Sequence, residues 1–396
     1  MTTHKPQRQF STLFFAMAVF FLALNLRPAI IAMGPVVDIV QRSLNTSATM
    51  MGVVGTLPVL AFAIFSPFVA RLAKRFGAEN VIITGMIGIA LGCALRSAFN
   101  NIWTVLLGTF VFCGGIAMGN VLLSSMIRRY RPRYVERLTA LQMLSFSVGS
   151  AVASSISVPL AEAFSWQLSL GLWGVVVIPG IIIWWRLRQK VSTPKADAPH
   201  FNTATWQGNI WKSPLAWKIS IYMGLQSMMF YTMANWLPSL IAARGFSSVE
   251  AGNYSTIFQF IAFPTALLLA PLAEKVNIRI LITSACLFTL AGFLLLCFAP
   301  VQWMWLATAL LGIGGCASFT LCLMLFALKA ESAAHSAALS GMAQTVGYLI
   351  ASFGPISVGY LYQLNNDWAL PIYAIIGALG LQFIASLVVG HESHAR

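Results

Sequence analysis

Apolar residues run in long blocks along this chain, and short polar segments separate them. Twelve blocks stand out: Ser11–Val37, Thr49–Val69, Val81–Phe99, Ile102–Ile127, Leu138–Leu160 and Leu168–Trp185, then Ile219–Ile241, Ala251–Leu272, Ile280–Ala299, Gln302–Leu328, Ala337–Tyr362 and Trp368–Val389. Each is near the ~20 residues that cross a bilayer as an α-helix. They are too long and too evenly apolar for the alternating strands of a membrane barrel. The pattern predicts an all-α membrane protein with twelve transmembrane helices.

The blocks also repeat. Ser47 to Leu123 aligns without a gap onto Ser247 to Leu323. Ser47, Gly52, Thr56, Leu72-Ala73, Ile82, Gly92 and Leu95 recur as Ser247, Gly252, Thr256, Leu272-Ala273, Ile282, Gly292 and Leu295. Trp103, Leu106, Gly114-Gly115 and Ala117 recur as Trp303, Leu306, Gly314-Gly315 and Ala317. Further on, Ser147-Val148-Gly149 resembles Thr345-Val346-Gly347. Six spans per half start both halves on the same side, so the expectation is two parallel-repeat six-helix bundles. Such a pair encloses a site that opens first to one side and then to the other.

Composition agrees. The chain is 58% hydrophobic and 9% charged, against about 25% charged for a soluble domain. The net charge of +14 belongs to topology. Counting loops alternately from the N-terminus, the odd set holds 20 of the 24 Lys and Arg, and the even set holds Arg42 and Arg244. The odd loops and both termini of this multi-pass chain are therefore expected in the cytoplasm. Basic residues scattered over short loops do not make a nucleic-acid surface. The first block is too long for a cleaved signal sequence. The polar stretch with Ser192-Thr193-Pro194 divides the chain. The expected parts are an N-terminal bundle at 1–190, with about 1–10 as a tail, a linker at 191–214 and a C-terminal bundle at 215–396.

Arg27 is the first candidate for chemistry. It lies deep in the first span beside Asn25 and Pro28. An Arg at mid-membrane costs at least ~2.5–3.5 kcal/mol and needs a wet cavity or a partner. Its five fixed donors suit an anion or an electron-rich group; a structural pin between helices is the other reading. Arg96, near the end of the third span, is expected to snorkel outward. No Asp, Glu or His lies in a span as drawn. That leaves a uniporter, coupling through rim acids such as Asp38 or Glu162, or a substrate that carries its own proton. Asn120, Gln142, Gln226, Gln259 and Gln344 are amides that either line an aqueous cavity or bond between helices. Gln344 and Tyr348 share a helix face, as do Asn120 and Ser124. Tyr231 and Trp236 complete the candidates, with Met229, Phe230 and Met233 as an apolar wall or plain packing. The six cysteines lie in spans without metal-ligand spacing and read as packing residues. No metal, cofactor or catalytic cluster is expected, and the chain does not read as an enzyme.

After the second span the chain reads Ala70-Arg71-Leu72-Ala73-Lys74-Arg75-Phe76-Gly77-Ala78-Glu79. This resembles the G-x-L-A-D-R-x-G-R-R pattern of the major facilitator superfamily, with Lys74 in place of its Asp. Leu272-Ala273-Glu274-Lys275 is the second copy. The resemblance implies gating roles for Arg75, Gly77, Glu274 and Lys275. Leu26-Arg27-Pro28, Gly119-Asn120-Val121-Leu122, Trp236-Leu237-Pro238 and Ser340-Gly341-Met342-Ala343-Gln344-Thr345-Val346-Gly347-Tyr348 resemble the cyanate and 2-nitroimidazole transporter branch. The resemblance implies a cavity lined by spans 1, 4, 7 and 10, with contributions from 5, 8 and 11. The expected function is secondary active or facilitative transport of a small polar organic solute or anion by alternating access. The expected substrate-binding set is Arg27, Asn120, Gln142, Gln226, Tyr231, Trp236, Gln344 and Tyr348. Export of small toxic aromatic compounds is the alternative. The expected partners are the solute and the lipid bilayer, and the expected state is a monomer.

Overall fold

A computed structural model describes residues 11–190, 209–330 and 333–389. Among them, ten helical stretches are long and apolar enough to cross a membrane. The two further expected spans are also helical, one as Pro214–Ala242 and the other as Ala333–Ala351 with Phe353–Asn365. The expected tail at 1–10 and most of the expected linker, residues 191–208, lie outside the described residues.

Four spans drawn as continuous are in fact broken. The first consists of Thr12–Leu24, Pro28–Ile31 and Met33–Ser43. The sixth parts between Trp166–Val176 and Ile178–Lys190, and the eighth between Ser248–Phe260 and Ala262–Lys275. The eleventh parts at Ser352. Each break comes just ahead of a proline: Pro28 and Pro35 in the first span, then Pro179, Pro264 and Pro355. Proline lacks an N–H and its ring presses on the preceding turn, so the helix yields there. Proline alone does not decide it, because helices run on through Pro159 and Pro238. Packing against the neighbouring spans completes the break.

The two halves meet closely at one end, where the first span finishes and the second begins. A Cβ on Gly52 would lie 2.6 Å from the Pro355 carbonyl oxygen, and one on Gly252 would lie 2.9 Å from that of Ser154. One helical turn on, Thr56 donates to the Ser352 carbonyl at 2.9 Å, and Thr256 donates to the Ala151 carbonyl at 3.2 Å. Residues identical in the repeat thus make the same contact twice, the second span on the eleventh and the eighth on the fifth. Thr49 to Gln363 at 2.6 Å and Ser239 to Asp38 at 3.1 Å add side-chain bonds across this end. Gly34 lies against the Ala234 carbonyl, and Gly359 against that of Ala48. The opposite end is looser. Nothing lies within 4 Å of a Cβ built on Gly341, and Arg75, Glu274 and Lys275 are exposed.

Within each half, matched glycines bring the third and fourth spans of that half together. Gly92 packs on the backbone at Phe112, and Gly292 on that at Leu311. Of the two glycine pairs, Gly115 and Gly314 make close helix contacts, Gly114 meets the Phe65 ring and Gly315 faces open space. Ser47 and Ser247 cap the second and eighth spans alike, accepting bonds from Met50 and Glu250 N–H.

Arg96 corrects an expectation. It does not snorkel; only 1% of it is exposed. Its guanidinium donates to the carbonyls of Ala29 at 2.8 Å and Leu170 at 3.1 Å and lies 4.7 Å from the Phe112 ring centre. It ties the broken first span to the third, fourth and sixth. Glu79 is buried as well, accepting from the Tyr130 hydroxyl and lying 3.8 Å from Arg129. It anchors the start of the third span to the end of the fourth, beside the loop where Lys74 stands in place of an acid.

Two outcomes follow from this packing. Gly52→Leu pushes the halves apart at the sealed end, with an overpacking cost of about 1–3 kcal/mol. A cysteine placed at Thr49 then labels faster with an impermeant maleimide, and saturable transport falls. Arg96→Met removes the bonds to the Ala29 and Leu170 carbonyls, worth about 1 kcal/mol or more each, and lowers the unfolding temperature of the purified protein.

Candidate functional site

The break in the first span builds the site. Asn25 closes the first helical segment, its amide donating to the Phe21 carbonyl at 2.7 Å and reaching the Val176 carbonyl at 3.5 Å. Arg27 follows with φ −126° and ψ −39°, outside the helical ladder, and Pro28 starts the next segment. Gly149 of the fifth span fits against this break, where a Cβ would lie 2.8 Å from the Leu24 carbonyl oxygen. That approach brings Phe146, one turn earlier on the same face, over the guanidinium.

Arg27 is half-buried, with its Cζ 5.2 Å from the Phe146 ring centre and 5.1 Å from that of Phe230. Phe146 belongs to one half and Phe230 to the other. Cation–π attraction to the rings is electrostatic and supplies no hydrogen-bond acceptor of the carboxylate or carbonyl kind. The N–H donors lie around its edge, and among the described residues no carboxylate or carbonyl takes them. The Tyr231 and Tyr348 hydroxyls lie within electrostatic reach of the guanidinium, as does the Cys316 thiol. The Tyr348 ring lies 6.2 Å from that of Phe62 in the second span. The result is a cation with free donor edges among aromatic rings from both halves.

The other expected residues are distributed around this centre. Asn120 is exposed on the fourth span, and Ser124 and Arg128 continue its stripe at four-residue spacing. An exposed amide, hydroxyl and guanidinium in line on a membrane helix mark a face that meets water. Gln344 is half-buried and donates to Ser340 at 2.8 Å, with Tyr348 one turn on. Gln226 is buried, and its amide turns to Ser227 at 2.6 Å and to Met223 on its own helix. Gln142 and Gln259 are buried too, and the amide oxygens of Gln142 and Gln226 have no partner. Met229 and Met233 are buried in packing; Phe230 is the member of that stripe that reaches the cation. Trp236 lies within the sealed end, donating to the Pro355 carbonyl at 2.9 Å and packing edge-on against Trp368. Arg75 rests against the Phe76 ring, Gly77 ends the second span with φ +87°, and neither Glu274 nor Lys275 pairs with another described residue.

Sequence reasoning missed Phe146, because a phenylalanine in an apolar span carries no mark of its own. It named Phe230 only as part of a wall. Its spacing one turn from Ala234, which meets Gly34 across the halves, is the signal that places it at the interface.

A sequence model described as Major Facilitator Superfamily matches residues 10–355 and again 242–394. The chain belongs to the Major Facilitator Superfamily. It is 33% identical over 386 residues to the 2-nitroimidazole transporter of Escherichia coli K12, covering 96% of this chain and 95% of that one. It is 22% identical over 372 residues to the cyanate transport protein CynX of the same organism, covering 92% and 94%. A solved structure of a mutant of the nucleoside transporter NupG shares the fold, with a TM-score of 0.74 over 95% of this chain and 98% of that one at 12% identity. The chain is thus a multi-pass membrane transporter of small organic solutes and not an enzyme, as its sequence pattern led us to expect.

Asp38 is an acid on the seam between the halves, sharing the Ser239 hydroxyl between its two oxygens at 3.1 Å each.

Proposed function

We propose that this transporter carries a small planar organic solute with an anionic or nitro-like end, by alternating access about the seam between residues 1–190 and 215–396, with 191–214 as the linker. The observation that carries the proposal is the Arg27 guanidinium, set against Phe146 and Phe230 with its donor edges untaken. A carboxylate, cyanate or nitro group offers two oxygens or a nitrogen to such an edge, and charge-assisted bonds of this kind are worth about 1.5–3 kcal/mol. The aromatic rings suit the flat remainder of the solute. Asn120, Gln344, Tyr231 and Tyr348 supply further donors and acceptors from the fourth, seventh and eleventh spans. Gln142, Gln226 and Trp236 support these helices, and come to line the site when the sealed end opens. Arg75, Gly77, Glu274 and Lys275 close the other end in turn.

The names of the relatives support this substrate class. The 2-nitroimidazole transporter and the cyanate transport protein CynX share an electron-rich, planar or linear small solute. Charge supports the orientation. The looser end carries Arg71, Arg75, Arg128 and Arg129, whereas Arg42 and Arg244 stand at the sealed one. By the positive-inside rule the looser end faces the cytoplasm, both termini lie there, and the structure is the inward-facing state of a bacterial plasma-membrane protein. The protomer encloses its own site and works as a monomer.

The test is uptake into proteoliposomes of labelled benzoate, cyanate and 2-nitroimidazole. Arg27→Gln should weaken apparent affinity at least tenfold, which corresponds to about 1.4 kcal/mol, while the protein still reconstitutes. Arg27→Lys should recover only part, because a point charge replaces a fork. Unchanged saturable transport in Arg27→Gln removes Arg27 from the site.

A further inference from the structure

A second cationic site lies in the N-terminal half, apart from Arg27. Arg96 and Thr109 both line a small cavity of about 20 Å³ walled by Met33, Val54, Pro58 and Phe112. A cavity of that size has room for one water-sized body. The two polar residues that line it are 1% and 2% exposed, and each leaves a buried group unmet: Arg96 its Nε and Thr109 its hydroxyl. Arg96 spends its other nitrogens on the Ala29 and Leu170 carbonyls. Those are neutral partners. No described carboxylate lies within ion-pair distance of it; the one ion pair of the described residues joins Arg129 to Glu79. A guanidinium cannot shed its charge, and an unpaired buried charge is costly.

We infer that this cavity binds one small monovalent anion of the size of chloride, held by Arg96 Nε–H and the Thr109 hydroxyl. The two orphaned groups are both donors, the remaining wall is apolar, and the net charge of the enclosed groups is positive. An anion satisfies all three conditions at once; a water molecule would meet the hydrogen bonds and leave the charge. The site is distinct from Arg27, although both arginines act on the same segment of the first span, Arg27 preceding Pro28–Ile31 and Arg96 bonding to Ala29 within it. The bound anion therefore braces the break on which the transport site is built.

The test uses the full-length transporter purified in detergent. Its unfolding temperature is measured in gluconate buffer as chloride replaces gluconate at constant ionic strength. The expected result is a saturable rise in the parent, a chloride affinity reduced at least tenfold in Thr109→Val, and an unchanged response in Arg27→Gln. That last arm separates this site from the transport site. Equal unfolding temperatures in the two anions overturn the proposal and leave the cavity to water. A full chloride response in Thr109→Val overturns it too, because the anion then binds elsewhere. If Thr109→Val does not fold, a crystal of the parent soaked in bromide decides. An anomalous peak beside Arg96 and Thr109 supports the site, and none there refutes it.

Discussion

Everything in this fold depends on how closely two halves of one chain can approach at a single end. The approach is made by a glycine and, one turn on, a threonine, set against the carbonyls of a partner helix. It occurs twice, as Gly52 with Thr56 and as Gly252 with Thr256. In lipid there is no hydrophobic force to press helices together. Contact has to come from backbone proximity and from hydrogen bonds that water would otherwise weaken. A glycine provides the first and a threonine hydroxyl the second. Both are reversible, since a threonine can return its bond to its own helix, as Thr256 already does in part with the Gly252 carbonyl at 3.0 Å. A seam built in this way holds one end shut without making the shut state permanent.

This explains why the repeat was so legible. Several of the residues that recur 200 positions apart, Gly52, Gly92 and Thr56 with their partners among them, meet backbone, and backbone geometry is what the two halves share. Gly92 and Gly292 recur because a helix lies against each, and Ser47 and Ser247 recur because each caps a span. Span number, repeat orientation and the family pattern could all be read from the chain, since length and periodicity carry them. The breaks at Pro28, Pro179, Pro264 and Pro355 could not, because Pro159 and Pro238 sit in helices that continue. Whether a proline breaks a helix depends on what packs against it, as Gly149 packs against the first span.

The candidate site was legible in part for a related reason. Polar residues inside apolar spans announce themselves, so Arg27, Asn120, Gln344 and Tyr348 were visible. Their partners were not. Phe146 looks like any other apolar residue of the fifth span, and only the close approach at Gly149 turns it over the cation. Gln226 looked as prominent as Gln344 in the sequence, yet it folds its amide back onto Ser227. An amide in a membrane needs a partner, and the sequence does not say whether that partner is a neighbour, another helix or a solute.

The two spanning arginines make the sharpest comparison. Both lie in apolar surroundings, both touch aromatic rings, and both sit beside the broken first span. Arg27 precedes the break, where the helix has released its ladder, and leaves its donors to whatever enters between the halves. Arg96 stands on an unbroken helix and spends its two terminal nitrogens on the carbonyls of Ala29 and Leu170, so it is fixed within one half with only its Nε–H left over. The residue type sets the cost of burial and the number of donors. The backbone around each arginine decides whether those donors are spent on the protein or kept for a ligand. Leu170 lies 74 positions from Arg96, so the deciding partner is supplied by the fold and lies far outside any local pattern. A pinning role and a binding role therefore look the same in sequence, and they separate only when the released and the occupied carbonyls are traced through the folded chain.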